Sequence, residues 1–207
     1  MSEKITITIC DDHKLFCKAV EAMLKDYKNI TVVKTCYSGA ELIKYFTEEK
    51  PSAIVLLDIK MPDMNGYEVT KYIKKHFSET RVIGISSYDN DYAISKIIEE
   101  GADSFVSKNA DPEDLHNVIT KVYNNGFYIS KWIKLKKNKQ LKTALLTDRE
   151  EELLPLFCSN KPYSQIAAEL NVSEKTIDRH RDEIFKKFNV QSRLSLVLFI
   201  VDIGIIT

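Results

Sequence analysis

The sequence predicts an α/β domain built on a parallel sheet, followed by a small all-α domain. Three observations carry this. Over the front half and a little beyond, short β-branched runs alternate with longer amphipathic ones, the pattern of strand and helix in turn. Residues 130–142 lose that periodicity and hold six lysines and one tryptophan, as a linker would. From Leu146 onward the apolar residues recur at helical spacing, with no strand signal. The domain boundaries expected are 1–126, a linker over 127–144, and 145–207.

Strands are predicted at 4–10, 30–35, 53–57, 81–86 and 104–106, and helices at 13–27, 39–48, 66–77, 91–100 and 112–124. The last of these helices opens with Asp111 placed to cap and Pro112 at its first position. Five strands, each followed by a helix, imply a parallel sheet covered on both faces. In the second half, Thr147 and Glu150 have capping-box spacing, and three further helices are expected at about 163–170, 174–188 and 192–203.

The 207 residues suffice for two small cores. The formal charge is zero, yet residues 1–129 carry 16 basic against 20 acidic side chains and residues 130–207 carry 14 against 10. Only the rear half suits a polyanionic partner. Cys10, Cys17, Cys36 and Cys158 show no CxxC spacing and read as small buried residues in a reducing compartment. The apolar stretch 194–206 is interrupted by Ser195, Asp202 and Gly204 and is too short to span a bilayer. No secretory leader is recognised at the front, and a cytoplasmic location away from membranes is expected.

In a parallel sheet, chemistry collects at the carboxyl ends of the strands. There the first strand presents Asp11-Asp12, the third Asp58, the fourth Ser86-Ser87 and the fifth Lys108. Converging carboxylates raise one another's pKa unless a cation neutralises them, and a hard oxygen site suits Mg²⁺. A carboxylate attacking phosphorus, with a lysine and a hydroxyl holding the phosphoryl oxygens, follows from that set.

The stretch 54–66, IVLLDIKMPDMNG, together with Asp11-Asp12, Ser86 and Lys108, resembles the receiver domains of response regulators over the whole first domain. The resemblance implies a flavodoxin-like sheet of order 2-1-3-4-5. It also implies Asp58 as phosphoacceptor and Mg²⁺ held by Asp11, Asp12, Asp58 and the Lys60 carbonyl. Lys108 and Ser86 would stabilise the phosphoryl group, and Phe105 stands at the aromatic switch position. His13 is read as an exposed structural residue. Lys60 and Tyr88 border the path of the hydrolytic water in such domains, so their bulk is expected to lengthen the phosphoryl lifetime.

Residues 164–188, SQIAAELNVSEKTIDRHRDEIFKKF, read as a short helix, a tight turn at Asn171-Val172, and a longer helix capped by Ser173 with Ile177, Ile184 and Phe188 inward. Two helices so spaced form a helix-turn-helix whose second member enters the DNA major groove. With the segment LTDREEEL at 146–153 and Arg193, this half resembles a LuxR-type domain, and the whole chain resembles the NarL/FixJ regulators.

Lys175, Asp178, Arg179, Asp182 and Lys186 fall on the face opposite the apolar stripe. Arg179 is assigned to guanine and Asp178 or Asp182 to cytosine, with Lys175, Thr176 and Lys186 on phosphate. Asp178 and Ser164 stand where the family often has lysine, which weakens the electrostatic contribution. Asn160 takes a usual glycine position, and Pro155 should bend its helix. Leu196, Phe199 and Ile203 are expected to form an exposed dimer face.

The resemblance thus implies a regulator phosphorylated by a histidine kinase or a phosphotransfer protein, binding double-stranded DNA as a homodimer once its reading helix is exposed. No enzymatic activity is expected beyond Mg²⁺-dependent self-phosphorylation from a donor. A rival reading keeps the fold and makes the chain a phosphorylation-dependent protein-interaction module. A phosphohydrolase is less consistent, because such enzymes want a second aspartate where Lys60 stands.

Overall fold

The computed structural model describes residues 4–87, 91–128 and 146–202. The linker at 130–142, Tyr88 and Ile203 lie outside the described residues. In chain order the elements are β1 (Ile5–Cys10), α1 (Lys14–Leu24), β2 (Ile30–Cys36), α2 (Gly39–Glu48), β3 (Ile54–Asp58), α3 (Gly66–His76), β4 (Arg81–Ser86), α4 (Asp91–Glu99), β5 (Ser104–Ser107) and α5 (Pro112–Asn125). Among the described residues four helices follow: α6 (Asp148–Cys158), α7 (Tyr163–Glu169), α8 (Glu174–Phe188) and α9 (Arg193–Asp202). None of the described helices is long and apolar enough to cross a membrane.

The five strands are all parallel in the order β2-β1-β3-β4-β5. Because helices cover both faces, the inner strands are almost wholly buried, β3 over its whole length and β1 and β4 at all but one residue each. One face packs Val55, Leu57, Val82 and Phe105 under Leu42, Phe46, Val69, Ile73, Ile94 and Ile97 of α2, α3 and α4. The other packs Ile7, Ile9, Leu56 and Ile83 under Cys17, Val20, Leu24, Val118, Ile119 and Val122 of α1 and α5. Each such side chain contributes about 1.5–3 kcal/mol on burial.

Helix starts are set by local side chains. Ser38 accepts from the Glu41 amide at α2, and Asn65 with Glu68 forms a capping box at α3. The expected box of Thr147 and Glu150 opens α6. Asp111 occupies the N-cap position of α5, but its side chain makes no capping hydrogen bond; Pro112 and the acidic first turn define that start.

The helical half has its own core of Leu153, Leu154, Phe157, Ile166, Ile177, Ile184, Phe188, Leu196 and Ile200, joined by Tyr92 of α4. The turn between α7 and α8 rests on Asn171 in the left-handed conformation, and Asn189 ends α8 in the same way. Asn160, expected to use that freedom, is not left-handed. Pro155 lies inside α6, on its exposed side.

Candidate functional site

Asp11, Asp58, Ser86 and Lys108 meet at one edge because each ends, or directly follows, a neighbouring parallel strand. Two backbone bonds lock this edge: the Ile59 amide donates to the Ile85 carbonyl at 3.1 Å and the Lys108 amide to the Ser86 carbonyl at 2.7 Å. Gly66 brings the loop after β3 back against the strand. Its amide donates to the Ile59 carbonyl at 2.8 Å, and a Cβ there would sit 2.4 Å from the Asp58 carbonyl oxygen. Gly66 is therefore required by close approach.

The carboxylates are deeply placed, with Asp58 only 3% exposed and Asp11 still less. The Lys108 ammonium spans them, 2.7 Å from Asp11 Oδ2 and 2.8 Å from Asp58 Oδ2, and stacks 4.9 Å from the centre of the Phe16 ring. Burial pushes the Asp58 carboxyl up to about 6, and the Asp11 charge adds to this. The Lys108 ammonium and the Lys60 amide oppose the shift without cancelling it. Burial pulls Lys108 down, but Asp58 and Asp11 outweigh it, so its pKa rises.

One metal-ligating atom from each of Asp11, Asp12, His13 and Asp58 falls within 4.8 Å of the others. Asp12 Oδ1 is buried and accepts no hydrogen bond among the described residues. Buried carboxylate oxygens that one ammonium does not satisfy fit a divalent cation. His13, read from sequence as an exposed structural residue, is exposed, yet its Nδ1 lies 2.9 Å from Asp12 Oδ1. Ser86 and Phe105 are both buried, and Phe105 packs among Ala93, Ile94 and Ile97 of α4. Lys60 is half-buried beside the site.

Sequence reasoning missed Asp63. Its carboxylate accepts from the Ala40 amide at 2.9 Å and the Gly39 amide at 3.3 Å, tying the loop after β3 to the start of α2. Those amides, with its own and that of Met64, hold its pKa low despite the opposing effect of burial. An acidic residue three positions before a glycine gave no signal of a partner more than 20 residues away.

The second surface is α8. Ile177, Ile184 and Phe188 are buried, while Lys175, Arg179, Asp182 and Lys186 are exposed on the opposite side. The polar face of α8 is open in this structure. Asp178 and Asp182 are both engaged by Arg181, at 2.7 Å each, and Arg179 lies 4.0 Å from Glu183. Thr176 shares its hydroxyl with the Ser173 cap at 2.8 Å.

The expected dimer face also requires correction. Leu196 is fully buried in the domain's own core and Phe199 packs on Phe188 with ring centres 5.2 Å apart. On α9 the exposed apolar stripe is instead Leu194, Leu198 and Val201, the first two 69% and 59% exposed.

Known proteins share this arrangement. A family model described as the response regulator receiver domain matches residues 7–120, and one described as bacterial regulatory proteins, luxR family, matches residues 144–200. The response regulator protein VraR of Staphylococcus saprophyticus is 29% identical over 200 residues, covering 94% of this chain and 95% of that protein. VraR of Staphylococcus aureus is 28% identical with the same coverage. Among solved structures, RcsB of Salmonella enterica serovar Typhimurium, bound to promoter rprA with a phosphomimetic, superposes with a TM-score of 0.76 at 24% identity, over 97% of this chain and all of that one. The response regulator ChrA of a haem-sensing two-component system gives a TM-score of 0.54 at 24% identity, over 95% and 96% of the two chains. These structures speak for the fold.

Proposed function

Because the chain belongs to the response regulators, with a receiver domain followed by a LuxR-type helix-turn-helix domain, we propose that it is a phosphorylation-controlled, DNA-binding transcription regulator whose acceptor is Asp58. The observation that carries this is the Asp58 carboxylate itself, 3% exposed at the end of β3 and 2.8 Å from Lys108. An Asp58 oxygen attacks the phosphorus of a phosphohistidine on a histidine kinase or phosphotransfer protein. The P–N bond breaks as the P–O bond forms, and the imidazole leaves with a proton. With a pKa of about 6, Asp58 is mostly ionised at neutral pH and available as nucleophile.

Asp11, Asp12, Asp58 and the Lys60 carbonyl would hold Mg²⁺, which supplies charge neutralisation for the phosphoryl oxygens. Lys108, already at the acceptor, pairs with one phosphoryl oxygen. Ser86 donates to another, and Phe105 follows it into the space under α4. Lys60 crowds the water that would hydrolyse the acyl phosphate, and Tyr88 is assigned the same role.

On the DNA side, Lys175, Thr176 and Lys186 contact phosphate and Arg179 reads guanine. Asp178 and Asp182 face cytosine once Arg181 releases them. Leu194, Leu198 and Val201 of α9 are the surface that pairs two copies, replacing Leu196 and Phe199 in that role. The domains run over 1–126 and 145–207, with 127–144 as linker, and the protein works in the cytoplasm as a homodimer when phosphorylated.

The test is retention of genomic DNA fragments by wild type and Asp58→Ala, with and without acetyl phosphate. Donor-dependent enrichment of a motif in wild type alone supports the reading. One observation favours the rival interaction module: Arg179 and Arg181 are drawn to acidic neighbours on α8. Absence of enrichment in either state selects that module.

A further inference from the structure

Two carboxylates on the reading helix are at odds with a polyanionic partner. α8 carries five basic and four acidic side chains, and Lys187 among the basic ones is engaged by the buried Glu150. Asp178 and Asp182 stand one turn apart on the same face, their side chains 50% and 67% exposed. Phosphates within about 10 Å repel such carboxylates whatever the base sequence. Arg181 meets both acids: Nη1 donates to Asp178 Oδ1 at 2.7 Å, while Nε and Nη2 donate to Asp182 Oδ1 at 3.0 and 2.7 Å. Its guanidinium lies 5.4 Å from the centre of the Tyr163 ring on α7, and its side chain is only 27% exposed. Tyr163 is fixed in turn, edge to face on Phe157 and 5.0 Å from the Arg193 guanidinium, which donates to the Phe157 and Leu156 carbonyls. Arg181 is thus anchored to the body of the domain beside two exposed acids.

We propose that Arg181 is a specificity-determining positioning residue: held by Tyr163, it screens Asp178 and Asp182 from DNA phosphate and yields them only where a cytosine amino group replaces it as donor. The inference rests on reading α8 as the DNA-contacting helix. On a sequence without cytosine at the read positions, both carboxylates stay bound to Arg181 and repel the backbone little. At a cognate site the cytosine N4 group donates to a carboxylate, so the exchange leaves no acceptor unpaired. Without Arg181 the bare pair weakens binding everywhere, because repulsion by phosphate does not depend on sequence.

The test is a mutant cycle on the full chain, read by fluorescence anisotropy with a labelled random-sequence duplex. Asp178→Asn combined with Asp182→Asn should raise affinity about twofold while Arg181 is present and about twentyfold in Arg181→Ala, a coupling of about 1.4 kcal/mol. Added salt should shrink that difference, since the carboxylates are exposed. A role confined to holding the fold predicts no rescue by the two asparagines. If Arg181→Ala does not fold, Arg181→Gln removes the charge, keeps a hydrogen-bonding side chain and serves the same comparison. A gain equal to or smaller than that seen with Arg181 present overturns the proposal and makes Arg181 a phosphate contact. On duplexes with each cytosine of the bound motif replaced in turn, wild type should discriminate about tenfold at the read positions. Discrimination that survives both asparagine substitutions also overturns it. Wild type that binds no duplex at low salt overturns the reading of α8 and the proposal with it.

Discussion

Tyr92 of the receiver and Phe188 of the helix-turn-helix domain meet edge to face, with ring centres 5.0 Å apart and planes at 73°. Tyr92 is buried, and beside it Lys96 lies 3.2 Å from Glu151 on α6 and 3.4 Å from Glu100, just past the end of α4. The contact uses α4, which begins five residues after Ser86 at the end of β4. It involves the buried side of α8 and leaves Lys175, Arg179 and Lys186 open. Tyr92→Ala should cost about 3 kcal/mol of coupling between the domains. Hydrogen exchange would show faster exchange in α4 and at the end of α8; unchanged exchange at both would discount the contact.

The raised pKa of Asp58 is also a statement about stability. A carboxyl that moves from 3.8 to about 6 on folding adds nothing unfavourable below pH 3.8, and its penalty is complete once pH exceeds 6. In metal-free buffer at pH 7, Asp58→Asn should therefore be more stable than wild type, by on the order of 3 kcal/mol. The difference should shrink as pH falls from 6 to 4. Urea melts across that range check it, and a gap independent of pH would assign the effect to something other than charge.

Gly66 faces the Asp58 backbone with no room for a methyl group. Gly66→Ala should shift the loop carrying Lys60 and cost about 1–3 kcal/mol by overpacking. Phosphorylation from acetyl phosphate should fall more than melting temperature does. If both match wild type, the close approach is not a constraint.

Glu150 is buried, accepts from the Thr147 amide, and pairs with Lys187 from α8. Burial would raise its pKa, but Lys187 and Thr147 together lower it. A depressed carboxyl contributes stability above its ordinary pKa of 4.5 and loses it as pH falls through its folded value. Glu150→Gln should cost about 1–3 kcal/mol at pH 7 and progressively less in acid. Melts of the two proteins that stay equally far apart at low pH would contradict this.

Binding through α8 should be electrostatic at Lys175 and Lys186 and partly specific at Arg179. Lysine to alanine at either site should lower the slope of log affinity against log salt by about 1, uniformly across sequences. Arg179→Ala should cost about 1–3 kcal/mol at one base position and relax preference there. Fluorescence anisotropy against a sequence panel separates these; equal losses on all sequences for Arg179→Ala would make it a phosphate contact.

The receiver was legible in the sequence because its carboxylates, serine and lysine sit at strand ends and alternation fixes strands well. Asp11, Asp58, Ser86 and Lys108 follow from locating five apolar runs. The box of Asn65 and Glu68 at the start of α3 was missed from the sequence, although it has the same spacing as that of Thr147 and Glu150. Asp111 had the right identity for a cap and still made no bond, because proline and two acidic residues already define that start. Leu196 was misassigned to the surface because α9 is apolar nearly all round, so periodicity alone did not select its inward face.

The sequence by itself determined the order of strands and helices, the carboxylate set and the polar face of α8, because each depends on short-range periodicity or on strand ends that topology must align. Only the tertiary structure decided that His13 turns back over Asp12, that Asp63 clasps the start of α2, that Arg181 holds Asp178 and Asp182, and that Tyr92 enters the core of the second domain. Those relations depend on side-chain direction and on packing between distant segments. Hydrophobic pattern is nearly indifferent to both.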